Sequence, residues 1–143
     1  MKKEIYGVTD GGARGGAEIE SASRNPDLGG VVAIPGHDLM GRHVPEGVRF
    51  ERVSIKLAAQ NAVQIAEAFK AKGVTIAHVG QDDAAVGGTV DQLRKLGIPV
   101  MGASLGAARL EGDKPDARLF MRRHGIRCPD FEIFETPEQC PGS

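Results

Sequence analysis

Tryptophan is absent from the 143 residues, tyrosine occurs once, and aromatics make up only 4%. A core built from this chain must therefore rest on Val, Ile, Leu and Ala. An excess of one charge is also lacking: 18 Lys and Arg stand against 19 Asp and Glu, a net charge of −1. That balance argues against an electrostatic nucleic-acid or membrane partner. The two cysteines, Cys128 and Cys140, lack the close spacing of a metal or redox pair and read as reduced thiols of a cytoplasmic protein. No apolar run approaches the ~20 residues that span a bilayer. Met1-Lys2-Lys3 leads into a strand rather than a signal peptide. Internal repeats and low-complexity segments are missing as well.

What remains is an ordinary globular composition, 41% apolar and 26% charged, long enough for one domain with a real core. Twenty glycines fall mostly where strands should hand over to helices. Glu4–Thr9 reads as a first strand, followed by a glycine-rich loop over Asp10–Gly16 and a helix from Ala17 to Arg24, stopped at Asn25-Pro26. Val31–Ile34 is a second buried strand, and His37–Val48, polar and without period, is a loop. Phe50–Ile55 supplies a third strand. Ala62, Ile65, Ala66 and Phe69 form one face of a helix that stops at Gly73. Thr75–Val79 is a fourth strand, with His78 inside it as a packed residue. A helix over Val86–Leu96 with Val86, Val90 and Leu93 on one face stops at Gly97. Strand and helix alternating over short links predict an α/β fold, three-layered and Rossmann-like, with a mainly parallel sheet.

The carboxyl-terminal third adds a short buried strand (Pro99–Gly102), a helix (Leu105–Glu111), a break at Gly112 and a second helix (Lys114–His124). In that second helix Ala117, Phe120, Met121 and His124 share a face. Phe131–Phe134 alternates as a strand does. Met101 and Met121 read as core. Thr136-Pro137-Glu138-Gln139 has the signature of a helix start, which Pro141 then stops.

Three strand ends carry chemistry. Asp10-Gly11-Gly12-Ala13-Arg14-Gly15-Gly16 lies between strand and helix, where backbone N–H groups and the helix amino terminus favour an anion and Arg14 offers a forked donor. The same loop also reads as a tight turn needing positive φ. Gly11 and Gly16 fit the dinucleotide fingerprint, but Ala13 holds the middle glycine's place. Pro35-Gly36-His37-Asp38 ends the second strand on the same sheet edge, where ligands of open α/β sheets sit. Asp38 could accept ribose hydroxyls, while His37 reads as an exposed loop residue. Gly80-Gln81-Asp82-Asp83 ends the fourth strand. Asp82 suits a ribose contact, and Asp82 or Asp83 suits a helix cap equally well. Gly87-Gly88 follows and would allow a ligand close approach. Further on, Asp113 is a natural cap, and Lys114 lies in a helix's first turn, an unfavourable place for a cation.

Gly97-Ile98-Pro99, Gly102-Ala103-Ser104, Leu110-Glu111-Gly112-Asp113-Lys114 and Phe120-Met121-Arg122-Arg123-His124-Gly125-Ile126 occur in an order that resembles phosphoribosylamine–glycine ligase. That enzyme of purine biosynthesis joins glycine to phosphoribosylamine using ATP. Gly-Asp-Lys alone is also similar to biotin carboxylase and other ATP-grasp enzymes. The resemblance covers nearly all of the chain but only the family's amino-terminal domain. It implies a Rossmann-like (pre-ATP-grasp) domain over 1–112 and the start of the ATP-grasp region over 113–143. It further implies that Gly11, Gly12 and Arg14 hold the substrate phosphate, with Ala13 as an insertion. Gly36 would shape the pocket, Asp82 would stand for a sugar-contacting Glu, and Lys114 for the lysine that reaches ATP phosphates. The departures are Asp10 for Ser, Gly15 and Gly16 for Glu and His, His37 for Asn, and Gln81 for Pro. A carboxylate at Asp10 would repel a phosphate placed beside it.

The resemblance implies a phosphoribosyl-binding domain without ligase activity of its own. ATP and Mg²⁺ belong to the full family enzyme, and neither is expected to bind this chain tightly. An alternative is a non-catalytic binding or assembly module that pairs with a separate ATP-grasp chain or with itself; an exposed apolar patch near Leu119 and Ile133 would favour it. A Rossmann-type nucleotide enzyme is disfavoured by Ala13.

Overall fold

The structure is a computed structural model that describes residues 3–140. The Met1-Lys2 start and the Pro141 stop lie outside the described residues. Five parallel strands form one sheet in the order β3-β2-β1-β4-β5: β1 (Glu4–Val8), β2 (Leu28–Ala33), β3 (Arg49–Arg52), β4 (Ile76–His78) and β5 (Val100–Met101). The chain moves outward from β1 to one edge and then returns to build the other. This leaves a topological switch point between the carboxyl ends of β1 and β4.

The sheet is covered on both faces, as a parallel sheet must be. The period-2 alternation of β2 shows it directly. Val31 and Ala33 pack with Tyr6, Val8 and Ile19, the last from α1 (Ala13–Ala22). Val32 and Ile34 pack with Ile65 and Phe69 of α2 (Ala62–Ala71) and with Val90 and Leu93 of α4 (Thr89–Lys95). The expected face Ala62, Ile65, Ala66 and Phe69 is buried throughout. Gly73 and Gly97 end α2 and α4 in the left-handed region, φ 74° and 75°. At each, two N–H groups return to the last carbonyls, Val74 N to Phe69 O and Ile98 N to Leu93 O, both at 3.0 Å, the Schellman closure that glycine permits.

Several elements differ from the sequence reading. α1 starts four residues early and takes Gly15 and Gly16 into the helix. A Cβ on Gly15 would lie 2.6 Å from Asp10 Cβ and 2.7 Å from Met40 Cε, so packing against β1's end overrides poor helix propensity. β2 starts earlier, at Leu28, and its register against β1 slips between Glu4 and Ile5, with Gly29 as the extra residue of a bulge. The His37–Val48 loop contains a 3-10 turn, Asp38–His43, that buries Met40. The helix expected over Val86–Leu96 is two helices, α3 (Asp82–Val86) and α4. Gly87 lets Ala59 approach where a ligand was expected to, and Gly88 turns at φ 81°. β3 and β5 are edge strands, and Met101 is 55% exposed rather than core.

α5 (Leu105–Gly112) and α6 (Lys114–Arg123) follow the reading, and Asp113 caps α6 by accepting the Asp116 N–H at 3.1 Å. No residue of α6 is fully buried, and Met121 is half-buried. Phe131–Phe134 is not a strand, since no described strand pairs with it. Its Phe131 ring instead lies under Arg122, 4.3 Å away. The announced helix at Thr136 is one 3-10 turn, Pro137–Gln139, with Gln139 Oε1 accepting the Glu135 and Thr136 N–H groups.

Candidate functional site

Backbone bonds tie the loops beyond β1, β2 and β4 into one edge. Thr9 N–H donates to His78 C=O at 3.1 Å, Ile34 N–H to Val8 C=O at 2.9 Å, and Gly36 N–H to Asp10 C=O at 3.2 Å. Gly36 has φ 63°, and a Cβ there would lie 2.7 Å from Arg52 Cγ and 2.9 Å from Ala33 Cβ. Only glycine keeps this loop against Asp10. Sequence and topology thus bring Gly11, Gly12 and Gly36 together as expected.

Asp10 is the centre of this edge and is 1% exposed. Its Oδ1 accepts the Gly12 N–H at 2.5 Å, and its Oδ2 accepts from Arg14 Nε at 3.2 Å. Burial pushes the carboxyl up. The Gly12 N–H, the Arg14 and Gln81 side chains and the Arg14 charge together outweigh burial and hold it below its ordinary value. The carboxylate expected to repel a phosphate is therefore turned inward and neutralised by Arg14.

The Gly11-Gly12 ridge stands between two clefts. One, of about 540 Å³, lies between the start of α1 and the 3-10 turn, with Glu20, His37 and His43 on its walls. The other, of about 520 Å³, lies at the switch point and is walled by Pro35, Ser54, Ile55, Lys56, Leu57, Gln81 and Asp83. A larger cleft of about 630 Å³, lined by Tyr6, Leu28 and Thr75, sits at the opposite sheet edge, away from the glycine loops.

Asp82 is exposed in the first turn of α3. Asp83, rather than Asp82, lines the switch-point cleft. Neither is the cap of α3: Gln81 holds that position and makes no capping bond. His37 is exposed, and its Nδ1 accepts the Leu39 N–H at 3.2 Å, which fixes the 3-10 turn. Asp38 is engaged by Arg52 Nη1 at 3.1 Å. His78 packs as expected, half-buried, its Nδ1 2.8 Å from Glu18 Oε2.

Ser54 and Lys56 are additions that the sequence reading missed, and Asp83, read there only as a candidate cap, lines the cleft as well. A signal existed: Ser54 and Lys56 flank the expected end of a parallel strand, the end at which ligands sit. Among the described residues no three His, Cys, Asp or Glu gather as metal ligands, and Lys114 heads α6 and lines neither cleft at the glycine ridge. Among the described residues no helix is long and apolar enough to cross a membrane.

The family model "Phosphoribosylglycinamide synthetase, N domain" matches residues 7–111. The chain is 39% identical to the phosphoribosylamine–glycine ligase of Methanosarcina barkeri over 118 residues, covering 81% of this chain and 25% of that protein. The corresponding ligase of Archaeoglobus fulgidus is 29% identical over 134 residues (92% and 28%), and that of Chlorobaculum tepidum 31% over 134 residues (94% and 30%). The chain thus matches between a quarter and three tenths of the length of these curated relatives.

Proposed function

The chain belongs to the phosphoribosylglycinamide synthetase amino-terminal domain family, and from that premise we propose that it binds the phosphoribosylamine substrate of the ligase at the carboxyl edge of its sheet. The observation that carries this reading is the glycine ridge at the switch point, where Gly11, Gly12 and Gly36 are held together beside a cleft. A backbone free of Cβ atoms lets a ligand approach closely, and a switch point is where open parallel sheets take their ligands. In this reading Gly11, Gly12 and Gly36 form the floor, Asp82 and Asp83 stand at the rim for sugar hydroxyls, and Arg14 balances Asp10. Residues 1–112 are the binding domain, and 113–143 open an ATP-grasp region in which Lys114 would face nucleotide phosphates. In this reading activation of glycine by ATP is the work of the family's ATP-grasp region, and no turnover of ATP, glycine and phosphoribosylamine is expected from residues 1–143 by themselves.

A thermal melt against ribose 5-phosphate, ribose, ATP, NAD and glycine tests the reading. Ligand at 100 times its dissociation constant stabilises by ~2.7 kcal/mol, a shift of several degrees. A rise with ribose 5-phosphate supports the reading, and a rise with NAD alone or with nothing refutes it.

A second reading, a non-catalytic assembly module pairing with itself or with a separate ATP-grasp chain, has one observation in its favour. Leu119, Ile133 and Phe134 are exposed and share an apolar hollow with Phe131.

A further inference from the structure

We infer that the phosphate seat is the switch-point cleft, with Lys56 as its cation, and not the start of α1 with Arg14. This rests on the phosphoribosyl reading above and assigns the substrate's charged end within it. Arg14 is the obvious cation at the glycine loop, but its Nε is committed to Asp10 Oδ2 at 3.2 Å. The pair is close to neutral, and a second anion would have to share Arg14 with a carboxylate that is already buried beside it. The Gly12 N–H is likewise taken by Asp10 Oδ1. The protein has supplied its own anion at the start of α1.

On the other side of the ridge the situation is reversed. Lys56 lines the cleft, and its ammonium makes no ion pair with any described residue. Ser54 beside it brings a hydroxyl without a described partner. Asp83 lines the same cleft, and no ion pair joins it to Lys56. The cleft therefore carries a donor group and an acceptor group, with Pro35, Ile55 and Leu57 as an apolar wall between loops. That polarity suits a sugar phosphate, its phosphate toward Ser54 and Lys56 and its hydroxyls toward Gln81 and Asp83. Charge-assisted bonds are the strong ones in such a contact.

Calorimetric titration of the wild-type chain, Lys56→Gln and Arg14→Gln with ribose 5-phosphate and with ribose tests the assignment. Both side chains are exposed, and a melt of each variant checks its fold. The expected result is a loss of roughly ten-fold or more in ribose 5-phosphate affinity for Lys56→Gln, with ribose affinity unchanged. Arg14→Gln by itself would leave the buried Asp10 carboxylate without its counter-charge, so it is measured beside the double variant Asp10→Asn with Arg14→Gln, which removes the pair together and should stay within about three-fold of wild type. The assignment is overturned if the double variant takes the loss and Lys56→Gln does not, or if Lys56→Gln does not weaken binding. A wild type that binds ribose 5-phosphate without regard to Lys56 refutes this assignment alone. A wild type that does not bind it refutes the phosphoribosyl reading and this inference together.

Discussion

Asp10 and Arg14 form an i,i+4 ion pair at the mouth of α1, with the carboxylate buried and the guanidinium 56% exposed. One residue of the pair belongs to the strand-to-helix loop and the other to the first turn of the helix. The pair therefore fixes where α1 begins, and it decides which charges at this edge are left for a ligand.

The pair also sets a pH dependence. The Asp10 carboxyl lies below its ordinary value in the folded state. Its ionisation stabilises the fold above the unfolded value of about 3.9, and that contribution is lost as pH falls through the lowered folded value. Asp10→Asn should cost about 1–2 kcal/mol at pH 7 through loss of the charged bond to Arg14. Urea midpoints measured from pH 7 down to pH 2.5 should converge for the two proteins at the acid end. A constant offset over the whole range would contradict the role given to the charge.

Gly15 and Gly16 should respond in opposite directions to alanine. A Cβ on Gly15 meets Asp10 Cβ at 2.6 Å and Met40 Cε at 2.7 Å, and Asp10 is fixed by its own bonds. Gly15→Ala should therefore destabilise by about 1–3 kcal/mol, as overpacking does. A Cβ on Gly16 meets only the ring of His43, Nε2 at 3.3 Å and Cδ2 at 3.5 Å, the end of a half-exposed side chain that can give way. Gly16→Ala should be neutral or stabilising by up to about 0.5–1 kcal/mol, the helix-propensity gain. Chemical denaturation of both variants checks the contrast.

This contrast shows where the sequence was legible. Faces with a 3.6 or 2.0 period, such as Ile65, Ala66 and Phe69 or Val31 to Ile34, announce themselves because burial alone sets them. The glycine stops at Gly73 and Gly97 were readable because a left-handed residue is nearly always glycine. Gly15 reads as loop in the sequence because its reason for being glycine is a contact with Met40, 25 positions away in the chain. The division at Gly87 was hidden likewise, since it is the backbone of Ala59 that requires it. Phe131–Phe134 alternates like a strand, yet alternation cannot supply a partner strand. At the site, local turn chemistry and topology point to the strand-end loops, and the family resemblance singles out Gly11, Gly12 and Gly36 within them. Lys56 was passed over because it stands alone beyond an edge strand, and only the assembled sheet brings it to the glycine ridge.

If the apolar face over Leu119 and Ile133 drives self-association, the chain should sediment as a dimer or larger species at micromolar concentration. Leu119→Ser with Ile133→Ser should then shift it to monomer without a large change in melting temperature, since both side chains are exposed. A wild-type monomer at all concentrations contradicts self-association through this face.

The most direct measurement of the central claim is a two-dimensional amide spectrum of the isotope-labelled chain titrated with ribose 5-phosphate. Saturable shifts are expected at the carboxyl edge of the sheet alone, at Gly11, Gly12, Gly36, Lys56 and Gln81. Shifts centred instead on the opposite edge, around Tyr6, Leu28 and Thr75, or none at all, would contradict it.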